Sequence, residues 1–247
     1  MTSYFARYQV GEHDDVWRDL RALGLTAFDE PHREDAQAVA REMAARARRN
    51  VETIVDRLQA DGFVAAENDD EATPRPAHFP PSHGAADLAD WLEETFAPFP
   101  MTVSAWIRGV GDVWLVGEHP RWPASVLADP LVVEFEHSFY GGGSREYYAD
   151  EWQNWQDDAD ADDDAQPFQL DFAPDALHKA NISGDGPYGI QLPGVGVDGL
   201  VGPTLWFVDD LNTAFAAGGF PEALYEEGYA DPPAGLREGL ARDLLRL

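Results

Sequence analysis

One run of residues constrains this chain more than any other. Ala36, Ala40, Met43, Ala47, Val51, Ile54 and Leu58 recur at spacings of three and four. That repeat lines one face of an α-helix, so the run predicts a single long helix. Pro31 suits its first turn, where a backbone N–H has no helical partner anyway. Asp61-Gly62 closes it with a glycine just past the end. The arginines of "REMAARARRN" fall mostly off the apolar stripe. They read as a solvated face paired with the chain's many acids, in preference to a nucleic-acid-binding helix.

Shorter elements surround this helix. Residues 14–24 predict a helix through Val16, Trp17, Leu20 and Leu23, ended by Gly24. Residues 65–84 are acidic and proline-rich and read as a linker or surface loop. His78 and His83 lie in it, with no carboxylate or thiolate at ligand spacing, so zinc is not expected there. From Ala85 the pattern tightens. Leu88, Trp91, Leu92 and Phe96 mark a helix broken by Pro98 and Pro100, and "MTVSAWIRGVG" predicts a second. "DVWLVG", "LVVEFE", "PFQLDF" and "YGIQL" are strand-like, rich in β-branched and aromatic residues. "TLWFVDDLNTAFAAGG" returns to helical spacing through Leu205, Val208, Leu211 and Phe215, and "AGLREGLARDLLRL" predicts a terminal helix. Helices and strands come in clusters without regular alternation. The expected fold class is therefore α+β, a mixed or antiparallel sheet with packed helices behind an N-terminal helical extension. The expected division is a helical region 1–64, a connecting segment 65–84 and an α+β domain 85–247.

Charge sets the environment. Acids outnumber bases 46 to 17, for a net charge of −29. Sixteen of the bases are arginine and one, Lys179, is lysine; Asp exceeds Glu, 28 to 18. A surface this acidic repels itself at low ionic strength, whereas at about 1 M salt screening lengths shrink to about 3 Å. Salt adaptation explains the excess of acid and the loss of lysine together, and it is preferred to a dedicated acidic interface. No basic face is available for phosphates, so nucleic acid is not an expected partner. There is no cysteine, hence no disulfide framework or thiolate site. No signal-like start and no run long enough to span a bilayer is evident, so the expectation is a cytoplasmic protein without membrane association.

The block Ala85–Pro120 resembles the SUKH superfamily, which includes a fungal cell-wall regulator and many bacterial immunity proteins. The steps that carry the resemblance are Leu88–Phe96, Phe99-Pro100, Val103–Arg108, the turn Gly109–Gly111 and Val113–Val116. Leu205–Phe215 is similar to the family's closing helix. The turn reads Gly-Val-Gly-Asp in place of the family's Asn-Gly-Gly order, and the first 62 residues have no counterpart in the family's core. Taken as a whole, the chain looks closer to a group of uncharacterised bacterial proteins related at a distance to that superfamily. The resemblance implies a non-catalytic protein-binding module, with a partner that in bacteria is often a toxin. An acidic face against a basic toxin would speed association.

Motifs for chemistry fall short. Asp160, Asp162 and Asp164 have the spacing of a calcium loop, but Ala165 stands where that loop needs glycine. "YGGGSREYY" lacks the ending of a phosphate loop. Asp175, His178 and Ser183 have triad residue types without a nucleophile elbow. No cofactor, metal site or catalytic residue is expected. Two binding candidates remain. One is a polar site of His178, Lys179, Asn181 and Tyr188, where a compact ammonium enters a space too narrow for guanidinium; the same residues also suit a cap on the "APDALHKAN" turn. The other is the aromatic set Tyr147, Tyr148, Trp152 and Trp155, suited to anchor a partner or to pack one helical turn onto the domain. A small-ligand site or enzyme at His178 and Lys179 is the first alternative function. A homodimer through the Ala-rich helix is the second.

Overall fold

The computed structural model describes residues 3–66, 73–136, 143–159, 166–221 and 231–247. It opens with α1 (Tyr4–Gln9) and α2 (His13–Leu23). The Asp35 carboxylate accepts from the Tyr4 and Phe5 amides, and Ser3 Oγ accepts from Ala6. The first turn of α1 thus has its otherwise unpaired N–H groups satisfied. A 3-10 turn, Gly24–Phe28, leads to α3 (Arg33–Ala60). All seven residues of the stripe are buried in α3.

Then follow β1 (Val64–Ala65), β2 (His78–Phe79), α4 (Ala85–Thr95) and α5 (Met101–Gly109). Next come β3 (Asp112–Trp114), β4 (Gly117–Glu118), β5 (Val132–Val133) and α6 (Ser144–Ala159). β6 (Phe168–Ala173), α7 (Ala176–Lys179) and β7 (Tyr188–Leu192) lead to β8 (Leu200–Val201) and β9 (Leu205–Trp206). α8 (Phe207–Ala216) and α9 (Leu236–Ala241) close the order.

Among the described residues the strands form three antiparallel sheets: β1-β4, β2-β3-β5 and β6-β7-β8-β9. The fold is α+β. The alternation of "PFQLDF" is realised in β6, where Phe168, Leu170 and Phe172 are buried and Gln169 and Asp171 are not. Its register against β7 pairs Leu170 with Ile190, both fully buried.

The segment 65–84 is more than a connection. His78 pairs with Val113 and Phe79 with Asp112, so its second half is a sheet strand. Gly111 is required beside it: φ there is +85°, and a Cβ would fall 2.2 Å from the Phe79 carbonyl oxygen. α3 lies along α5, and residues on both sides of 65–84 join one hydrophobic core. The composition break therefore does not divide the packing.

Three further expectations are corrected. Leu205 and Trp206 are not helical; they fold back on β8, and the helix begins at Phe207. The terminal helix ends at Ala241. Beyond it, Asn50 donates to the Leu245 carbonyl and accepts from the Leu245 amide, while Asn212 accepts from Leu247. These side chains replace the hydrogen bonds that continued helix would have supplied. Lastly, the Ala-rich stripe is covered within the chain, so it offers no face to a second copy.

Candidate functional site

Lys179 sits at the end of α7. Asp175 caps that helix, accepting from the Leu177 and His178 amides, and pairs with the His178 ring. Burial pushes the Asp175 carboxyl up, but the His178 ring and the two amides outweigh it and hold the group below its ordinary range. Lys179 is only 4% exposed. Its Nζ donates to Asp129 Oδ1 at 2.6 Å and lies 4.9 Å from the centroid of the Tyr188 ring. The Tyr188 hydroxyl donates to Asp129 Oδ2 at 3.1 Å. Burial lowers the Lys179 pKa, and Asp129 opposes that shift.

The structure thus brings Lys179 and Tyr188 together around Asp129, a residue that no local pattern singles out. Asp129 follows the 3-10 turn Ser125–Ala128 in a left-handed conformation at φ 47°. The other two candidates lie elsewhere. His178 is exposed and faces Asp175, and Asn181 is exposed at φ 58°, ending the α7 turn. A cavity of about 230 Å³ adjoins Lys179, Tyr188, Asp129 and Asp210. The carboxylate and the ring face together hold the ammonium and tie α7 to the Asp129 turn.

The aromatic set is used inward. Tyr148 is buried, with its hydroxyl donating to the Asp171 carbonyl, and Tyr147 donates to the Asp171 carboxylate, both at 3.1 Å. Trp152 and Trp155 stack at 4.8 Å between ring centroids. Both rings pack edge-on to Phe168, and the Trp155 indole donates to the Gln166 carbonyl at 2.8 Å. The four residues dock α6 onto β6. Burial raises the Asp171 carboxyl to about 6, with Tyr147 opposing and Glu151 adding to the rise.

His78 bonds the Val110 carbonyl at 2.8 Å, and His83 is exposed. Among the described residues no group of three or more His, Cys, Asp or Glu side chains could hold a metal. Residues 160–165 of the acidic loop lie outside the described residues.

A different place has the geometry of a binding site. A cleft of about 450 Å³ opens between α3 and the turn from α4 to α5. Its floor is apolar, from Phe28, Ala40, Phe99 and Met101, and its α3 wall carries Arg33, Gln37 and Arg41. The opposite wall holds Arg108, whose guanidinium is fully engaged with Ser104, the Ala86 carbonyl, Asp90 and Glu93. Glu93 in turn accepts from Ser104. The α3 wall is free by contrast. Arg33 donates through Nε to the Phe28 carbonyl, and its remaining nitrogens have no partner among the described residues. Arg41 and Gln37 have none at all there. The spacing Arg33, Gln37, Arg41 was visible in the sequence as one helical face. What it faced was not, because Phe99 and Met101 of the floor lie some sixty positions later in the chain.

No family model, curated protein or solved structure matches this chain.

Proposed function

We propose that this chain is a non-catalytic protein-binding module and that it holds its partner at the cleft between α3 and the α4–α5 turn. The observation that carries the reading is the state of Arg33 and Arg41. In a chain with 46 acids and 17 bases, most arginines have found a carboxylate, as Arg7, Arg21, Arg46 and Arg75 have. These two stand without one, beside the cleft's apolar floor.

Exposed apolar residues on loops next to the cleft support a protein partner over a small molecule. Leu25 is 54% exposed and Val195 40%. Their loops touch where Gly196 lies against Gly24, and Gly194 donates to the carbonyl of Pro98, which lines the cleft, at 2.7 Å. An apolar centre with arginine at its border is the anatomy of a protein interface. The resemblance of Ala85–Pro120 to the SUKH superfamily implies the same class of role, with an immunity function against a basic toxin as its specific form. At the cleft the unpaired guanidinium groups of Arg33 and Arg41 position one acidic stretch of such a partner.

The test is capture from native lysate in molar KCl, using the tagged chain and an Arg33→Glu/Arg41→Glu variant. One stoichiometric partner recovered by the native chain and lost by the variant is the expected result. Equal recovery by both, or recovery of nothing, removes the reading.

A further inference from the structure

Resting on that reading, we infer that the cleft takes an extended acidic–apolar segment, with carboxylates at positions i and i+4 and an apolar side chain at i+2. Arg33 and Arg41 are eight residues apart on one straight helix, which at 1.5 Å per residue separates their Cα atoms by about 12 Å. An extended chain rises about 3.3 Å per residue, so its positions i and i+4 lie about 13 Å apart. The two spacings match. The same geometry sends i, i+2 and i+4 to one face of the segment. When the outer two meet the guanidinium groups, the middle one meets the floor at Phe99 and Met101. Gln37, halfway between the arginines and without a partner among the described residues, offers an amide to the segment's backbone.

A helical segment does not fit. In a helical segment positions i and i+4 lie only about 6 Å apart, half the separation of the two arginines. The charge pattern also fixes the sign. The one carboxylate lining the cleft, Glu93, is paired with Arg108, so the charged groups left without a partner on its walls are the guanidinium donors of Arg33 and Arg41. Arg groups without partners bind carboxylates through paired N–H donors.

The probe is a fluorescein-labelled peptide, Asp-Ala-Phe-Ala-Asp, titrated with the intact chain by fluorescence anisotropy in 1 M KCl. The controls are the diamide Asn-Ala-Phe-Ala-Asn, the shortened Asp-Phe-Asp and the flattened Asp-Ala-Ala-Ala-Asp. The diacid should bind at least about tenfold more tightly than each control. Arg33→Glu and Arg41→Glu should each weaken it by about tenfold or more, with unfolding midpoints unchanged. Equal binding of diacid and diamide, binding unaffected by both variants, or no saturable binding overturns the inference. If the lysate partner is still captured in an Arg33- and Arg41-dependent way while the peptide fails, the segment is wrong and the protein-binding reading stands. If both fail, both fall.

Discussion

Lys179 and Arg41 are both cations in a strongly acidic chain, and the protein treats them in opposite ways. Lys179 is buried, paired at 2.6 Å and shared with the face of Tyr188. Arg41 is exposed at the edge of a cleft and has no partner among the described residues. Rarity in the sequence draws attention to the first, yet its charge is paired inside the fold. The second is one arginine of sixteen, and its capacity is intact. A site is marked by what remains unsatisfied, not by how unusual its residue is.

Substitution breaks the comparison most sharply at Lys179. Lys179→Met removes one partner of a buried pair and leaves Asp129 charged and unmatched. The expected loss is about 3–5 kcal/mol of stability, read by denaturant unfolding in molar salt. A neutral result would mean that Asp129 reaches solvent and that the Lys179 cavity is open for ligand. Asp175→Ala comes next. It removes the cap of α7 and frees His178, at a cost of about 1 kcal/mol by the same measurement.

Acid sharpens the comparison for carboxylates. The Asp171 carboxyl is raised to about 6 from 3.8, so the folded chain binds this proton more tightly than the unfolded chain. Its stabilising contribution is therefore present below pH 4 and lost as pH rises through 6. Stability of the native chain relative to Asp171→Asn should rise between pH 7 and pH 5, by somewhat less than about 1 kcal/mol after allowing for partial exposure. A flat difference would place Asp171 in contact with water and loosen the docking of α6. The smallest effect is at the cleft. Arg41→Ala should leave stability within about 0.5 kcal/mol, because nothing in the fold leans on its charge. A larger loss would make Arg41 structural and erase the contrast with Lys179.

Legibility followed the range of the interactions. The stripe of α3, the alternation of β6 and the limits of β7 could be read because each is a local period imposed by one buried face. Leu205 and Trp206 misled, since their apolar character matches a helix face as well as it matches a hairpin strand. The end of the chain misled for a related reason. "ARDLLRL" has helical spacing, but Asn50 and Asn212 capture its backbone from elements about 195 and 35 residues away. Trp152 and Trp155 read equally well as anchors or as packing, and only the tertiary fold places Phe168 beneath them.

By itself the sequence determined the fold class, the long helix and the acidity, because periodicity and charge are summed along the chain. Tertiary structure alone decided which cations are spent and which are free. Asp129 reaches Lys179 across 50 residues, and Phe99 and Met101 come beneath Arg33 and Arg41 only when α5 packs against α3. Pairing depends on proximity in space, and no local pattern encodes it.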